Sequence, residues 1–166
     1  MKKIDAISKY HIPILLCAVI SVFFPIVGND FLYQWDDNWM VMNHYTEGGV
    51  NFDNLWAVLV EYYRGQYGPV NEYMYLFLYT LFGYNPLPFH LASLLLHAGS
   101  VCFVYIIIKR IFAHTSRAKT EHAPSIAFIT SLLFAIHPMN VEPVAWISAV
   151  KILNYAFYYL ALRIRS

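Results

Sequence analysis

Charge is what this sequence has least of. Only 13% of its 166 residues are Asp, Glu, Lys or Arg, and 59% are hydrophobic, whereas an ordinary soluble domain carries about 25% charged residues. A water-soluble fold of this size could not hide so much apolar surface. With two cysteines, Cys17 and Cys102, both inside apolar runs, a disulfide scaffold is not expected, and both read as small core residues. Lysine and arginine are nearly missing from residues 28–88, where Arg64 stands alone against seven acidic residues. No run of bases interleaved with aromatics occurs, which argues against nucleic acid as a partner. The sequence also lacks an HExxH pair, a glycine-rich phosphate loop, an internal repeat and a low-complexity tract.

What is present is apolar sequence in runs close to the roughly 20 residues a bilayer requires. Spans are expected at about 12–27, 89–108, 120–136 and 144–162. The first follows a basic leader with Lys2, Lys3 and Lys9, and Phe23 to Gly28 offers a poor cleavage site, so it reads as an uncleaved anchor. Lys109, Arg110, Arg117 and Lys119 mark the loop 109–119 as cytoplasmic, and Arg163 and Arg165 do the same for the C-terminal end. The acidic region 28–88 then lies outside, and both termini lie inside. The third span is short, with thirteen clearly apolar residues from Pro124 to Ile136. Within the outer loop, Asn54–Tyr63 and Asn71–Phe82 read as short helices lying at the membrane surface, the first capped by Asp53. The expected fold is an all-α polytopic membrane module of about four transmembrane helices and two interfacial helices.

Several residues in the outer half could carry chemistry. Asp36 and Asp37, flanked by Trp35 and Trp39, are adjacent carboxylates whose mutual repulsion favours one of them as a proton acceptor. The alternative is an Asx turn or helix cap on a solvated loop. His137 and Glu142, five apart around Pro138 and Pro143, could share a divalent cation with Asp36 or bind phosphate-bearing groups, or could simply cap a loop. His90 and His97 share one helical face, the second about 10 Å deeper. Each either faces a wet cavity or bonds a neighbouring helix. Lys151 is a cavity cation or a snorkelling side chain. Together these residues and Glu72 point to a polar pocket at the outer face that binds substrate through His90, His97, His137, Glu142 and Lys151.

The order of these features resembles the N-terminal part of the GT-C class of polytopic glycosyltransferases. It is most similar to the transmembrane O-mannosyltransferases that carry tetratricopeptide repeats, and to their bacterial relatives. The matching pieces are Tyr33-Gln34-Trp35-Asp36-Asp37, Leu81-Phe82-Gly83-Tyr84-Asn85-Pro86 running into Phe89-His90-Leu91, Leu94-Leu95-Leu96-His97-Ala98, and Phe134-Ala135-Ile136-His137-Pro138 with Val141-Glu142 and Val144-Ala145-Trp146-Ile147. They cover roughly residues 31–151.

The resemblance implies that Asp36, or less readily Asp37, assists attack by an acceptor hydroxyl of a protein or glycan on a sugar carried by polyprenyl phosphate, with His137 and Glu142 organising the site. The membrane would be the bacterial inner membrane. Two features depart from the family. Lys151-Ile152 stands where many relatives have arginine followed by aspartate, and enzymes of this class have about twice as many spans. The sequence is therefore expected to be part of a longer architecture or to need a second membrane subunit. A non-catalytic scaffold or binding subunit is the competing expectation. No broken-helix pair or ring of like charges is apparent, which leaves a channel without support.

Overall fold

The computed structural model describes residues 8–115 and 122–165. Lys2, Lys3, Arg117 and Lys119 lie outside the described residues. Nine α-helices are described and no strand, only an isolated bridge between Tyr63 and Gln66. In chain order they are α1 (His11–Phe23), α2 (Asp37–Met40), α3 (His44–Gly48), α4 (Phe52–Val60), α5 (Pro69–Phe82), α6 (Pro86–Thr115), α7 (Ala123–Ala135), α8 (Val141–Ala145) and α9 (Val150–Arg165).

Two helical stretches are long and apolar enough to cross a membrane. One is His11–Gly28, where α1 continues into a 3-10 turn, and the other is Pro86–Phe112 of α6. A third crossing is possible through α7 together with Pro138–Ala145, a pair bent by 52°. This is a broken span where the sequence reading expected none. Pro138 stands at the break, where it has no N–H with which to continue the helix of α7, while Pro143 lies within the first turn of α8. The freed backbone is partly satisfied locally, since Asn140 Nδ2 donates to the carbonyl of Phe134 at 2.6 Å. The fourth expected span, 144–162, is not among the helices of spanning length and apolarity: α9 covers its later part with 16 residues, about 24 Å at 1.5 Å each, short of the roughly 30 Å hydrocarbon core.

The helices pack around α6, which lies against α1, α7 and α9. On α1 the buried positions His11, Leu15, Val19 and Phe23 recur every fourth residue, one face of a helix. On α7 the buried positions are Ala123, Ala127, Ser131 and Ala135. Such a small-residue stripe lets backbones approach closely in lipid, where packing replaces the hydrophobic effect between helices. Cys17 is exposed on α1 and Cys102 half-buried on α6, both free. Cys17 is thus not a core residue, because it falls off the four-residue stripe.

The two ends of this assembly differ in charge. At one end His11 meets Tyr105, and the Arg110 guanidinium donates to the Ile164 carbonyl beside Arg163 and Arg165. At the other end the acidic loop helices α2 to α5 cover the start of α6 and the segment before α9. Helices are present at both of the expected loop positions, as α4 and α5. The cap of α4 is Asn51, however, whose side chain accepts from Asn54 N at 2.9 Å. Asp53 falls one residue inside the helix, past the position where a side chain can reach back to the free N–H groups.

Candidate functional site

The loop after α1 turns back on itself at Leu32 to Asp36 and starts α2. This turn directs the two adjacent carboxylates to different places. Asp37 is 1% exposed. Its Oδ1 accepts from the backbone N–H of Ser148 at 3.0 Å and from the Ser148 hydroxyl, and its Oδ2 accepts from Leu32 N at 2.8 Å. A buried carboxylate is tolerated when its lone pairs are taken up this way. Nearby, the Tyr75 hydroxyl donates to the Ile147 carbonyl at 3.0 Å, and Trp35 meets Trp146 edge to face at 5.8 Å. The first outer loop, α5 and the 3-10 turn Ile147–Ala149 are thereby locked together. Asp36 is only half-buried and holds one bond, from Trp39 Nε1 at 3.1 Å.

Trp39 also forms part of the wall of a cavity of about 270 Å3 lined by Tyr45, Glu61, Tyr63, Asn71, Glu72 and Lys151 among others. Its acids are each held by a neighbour. Tyr45 donates to Glu61 Oε2 at 2.7 Å, and Asn43, which caps α3, donates to Glu72 Oε2 at 3.0 Å. Burial raises the Glu72 carboxyl above its ordinary value, with the Asn43 bond opposing. Burial, the bond to Glu61 and the nearby negative charge push the Tyr45 phenol up to about 12. At the rim, Arg64 adopts φ 47° in the tight turn between Tyr63 and Gln66, and its guanidinium lies 5.2 Å from the Trp39 ring centre, within cation–π range.

The structure brings some of the residues expected at one pocket together and separates others. Glu72 and Lys151 share the cavity, and Asp36 is tied to it through Trp39. His97 is fully buried elsewhere, with Nε2 at 2.9 Å from the Ala135 carbonyl and its ring edge-on to Phe23 at 5.1 Å. This is the helix-to-helix hydrogen bond of the structural alternative, joining α6 to α7. His90 is 1% exposed, and neither ring nitrogen has a hydrogen-bond partner. His137 and Glu142 are both exposed, and His137 Nδ1 accepts from Met139 N at 3.2 Å, capping the 3-10 turn at the broken span. Among the described residues no group of three His, Cys, Asp or Glu could hold a metal ion. Asp36, His137 and Glu142 therefore do not form the expected metal set. His137 Nδ1 is used by its own turn.

Glu61, Tyr45, Tyr63 and Asn71 were not anticipated as site residues. Only Asn71, adjacent to Glu72 at the start of α5, carried a usable signal, since an amide and an acid in one helical turn invite a polar neighbour.

Three curated proteins bear on this arrangement. Human protein O-mannosyl-transferase TMTC4 is 32% identical over 82 residues, covering 47% of this chain and 11% of the relative. Drosophila melanogaster protein O-mannosyl-transferase Tmtc3 is 33% identical over 90 residues, covering 47% and 10%. Mouse TMTC4 is 29% identical over 82 residues, covering 47% and 11%. The chain is similar to the O-mannosyl-transferases. The matched segments span about a tenth of the length of these curated relatives. No family model matches, and no solved structure does. The apolar helices and this similarity together mark an integral membrane protein related to glycosyltransferases.

Proposed function

We propose that the chain is the N-terminal membrane module of a GT-C glycosyltransferase that moves a sugar from a polyprenyl-phosphate carrier to an acceptor hydroxyl at the outer face of a membrane, taken to be the bacterial inner membrane. In this reading α1, α6, the broken span and α9 cross four times, with the basic end cytoplasmic. The observation that carries the chemistry is the contrast between the two adjacent acids. Asp37 is spent on Ser148 and Leu32, while Asp36 keeps free lone pairs and is bonded to Trp39, which lines the cavity holding Glu72 and Lys151. Asp36 is therefore the general base, since a base must reach the proton it removes. Asp37 positions the loop that presents it. Trp39, by donating to Asp36, orients the carboxylate.

Replacing Asp36 by Asn in a full-length or reconstituted enzyme is expected to abolish sugar transfer while leaving membrane insertion unchanged. Transfer that persists in Asp36→Asn removes the mechanism. The competing reading is a non-catalytic scaffold or binding subunit that works with a second membrane protein. It is favoured by the positions of His137 and Glu142, which are exposed and do not line the cavity. Copurification with a membrane partner and no turnover would support it.

A further inference from the structure

Arg64 is the lone base of the acidic outer loop 28–88, yet it makes no ion pair with any described residue. Its guanidinium lies instead over two rings, 5.2 Å from the centre of Trp39 and 5.7 Å from that of Tyr63, both within cation–π range. The backbone is strained to put it there. Tyr63 and Gln66 exchange backbone bonds at 3.0 and 2.9 Å, closing a two-residue turn in which Arg64 and Gly65 have φ of 47° and 76°. Such a turn favours Asn-Gly or Asp-Gly, because a long side chain in the left-handed region is uncommon. A strained residue persists where its surroundings hold it. Here the Tyr63 ring meets His44 at 5.2 Å and Tyr45 at 5.7 Å, both edge to face, which anchors the turn.

The ring beneath the guanidinium is the one that holds Asp36. Trp39 Nε1 donates to Asp36 Oδ1 at 3.1 Å, a bond inside the single turn of α2. A helix of four residues has too few bonds of its own to be stable alone, so the indole needs support from outside α2. The turn supplies two such contacts, the Arg64 guanidinium over the indole and the Tyr63 ring at 6.5 Å, inside the roughly 4.5–7 Å at which aromatic pairs interact. A cation over the indole also draws on its electrons and makes the N–H a stronger donor, since linked polar contacts polarise one another.

We infer that Arg64 is a positioning residue for Asp36: the strained turn between Tyr63 and Gln66 seats the guanidinium on Trp39 and so fixes the indole N–H on the carboxylate. Arg64 itself takes no part in the bonds made or broken. The linkage from Arg64 through Trp39 to Asp36 stands on the contacts above, and its bearing on turnover rests on the reading of Asp36 as the base.

The test uses the whole chain in nanodiscs with nitrogen-labelled tryptophan. Its four tryptophans give four indole N–H signals in a magnetic resonance spectrum, and Trp39→Phe identifies the one from Trp39. Arg64→Asn removes the guanidinium with a residue that suits the left-handed turn, and Arg64→Lys keeps the positive charge. In Arg64→Asn the Trp39 signal is expected to shift and its exchange with water to quicken about fivefold, the size of one exposed cation–π contact. The signals of Trp56 and Trp146 should stay in place, and Arg64→Lys should restore most of both changes. An unmoved Trp39 signal in Arg64→Asn would overturn the inference. So would the absence, in the unmodified chain, of cross-relaxation between the Arg64 side chain and the Trp39 ring, a measurement that does not depend on how any variant folds.

In a preparation that transfers sugar, Arg64→Asn is expected to lower kcat about fivefold with KM unchanged, and Arg64→Lys to recover it. A raised KM with kcat kept would assign Arg64 to substrate binding and overturn the inference. Transfer that survives in Asp36→Asn removes the base and leaves the indole result standing, so the two failures are told apart.

Discussion

Asp37 and Ser148 stand 111 positions apart in the chain, yet the Asp37 carboxylate accepts both the backbone N–H and the hydroxyl of Ser148. This pairing joins the first outer loop to the segment that enters α9. Asp37→Asn removes the charge and, with its oxygen kept on Ser148, sets an amide donor against the N–H of Leu32. It is expected to cost about 1.5–3 kcal/mol, the range for hydrogen bonds to charged groups. Ser148→Ala removes one of the bonds and should cost about 1 kcal/mol. Thermal unfolding in detergent would rank the two. If Asp37→Asn unfolded no earlier than Ser148→Ala, Asp37 would not be the clamp.

Gly99 on α6 lies where an added Cβ would come within 2.6 Å of Phe157 Cε2 on α9. Phe157 itself packs against Phe103 at 5.0 Å, so the ring has little room to retreat. Gly99→Ala is expected to destabilise the α6–α9 contact by about 1–3 kcal/mol, the usual cost of overpacking. Adding Phe157→Leu should restore part of that loss. Unchanged melting of Gly99→Ala would show that the helices are not in this close contact.

Glu72 carries a pH dependence of definite sign. Its carboxyl is raised by burial, so the folded state binds its proton more readily than the unfolded state does. The resulting stability is complete below the unfolded pKa and is lost as pH rises through the folded value. Glu72→Gln, which keeps an acceptor for Asn43, is therefore expected to be the more stable form at neutral pH, with the gap closing toward acid. Melting curves of both forms from pH 4 to 8 would decide it, and a gap that widened toward acid would contradict the burial argument.

The proposed orientation, with the acidic end outside, makes a labelling prediction. A cysteine introduced at the exposed Gln66, after replacing Cys17 and Cys102 by serine, should react with an impermeant maleimide in intact cells. One at the exposed His122 should react only after the membrane is opened. The reverse pattern would place the cavity on the cytoplasmic side and end the proposed reaction at the outer face.

How far the sequence could be read depended on the kind of signal. The spans around His11–Gly28 and Pro86–Phe112 were legible because lipid imposes a length and a composition that no tertiary contact has to supply. The two short helices of the loop were legible as well, at Asn54–Tyr63 and Asn71–Phe82, close to the observed α4 and α5. The stripe Ala123, Ala127, Ser131 and Ala135 was present in the sequence as a regular spacing of small residues. It gains meaning only beside α6.

The broken span was half legible. Pro138 and Pro143 announced a turn, but the 52° bend and the Asn140 bond to the Phe134 carbonyl depend on what surrounds the freed backbone. His97 could not be assigned in advance, because the same histidine serves a cavity or a neighbouring carbonyl according to which atom lies 2.9 Å from its Nε2.

By itself the sequence determined that this protein is made of apolar helices, with acid gathered on one side of them and base on the other. Those properties are set by composition along the chain and by the bilayer as solvent. Only the tertiary structure decided which of two adjacent aspartates is free, since Asp36 and Asp37 are chemically identical until Ser148 arrives at one of them. It likewise decided that Glu72 and Lys151 share a cavity and that His137 and Glu142 stay exposed. Hydrogen-bond partners and burial are supplied by segments distant in the chain, and no local pattern encodes them.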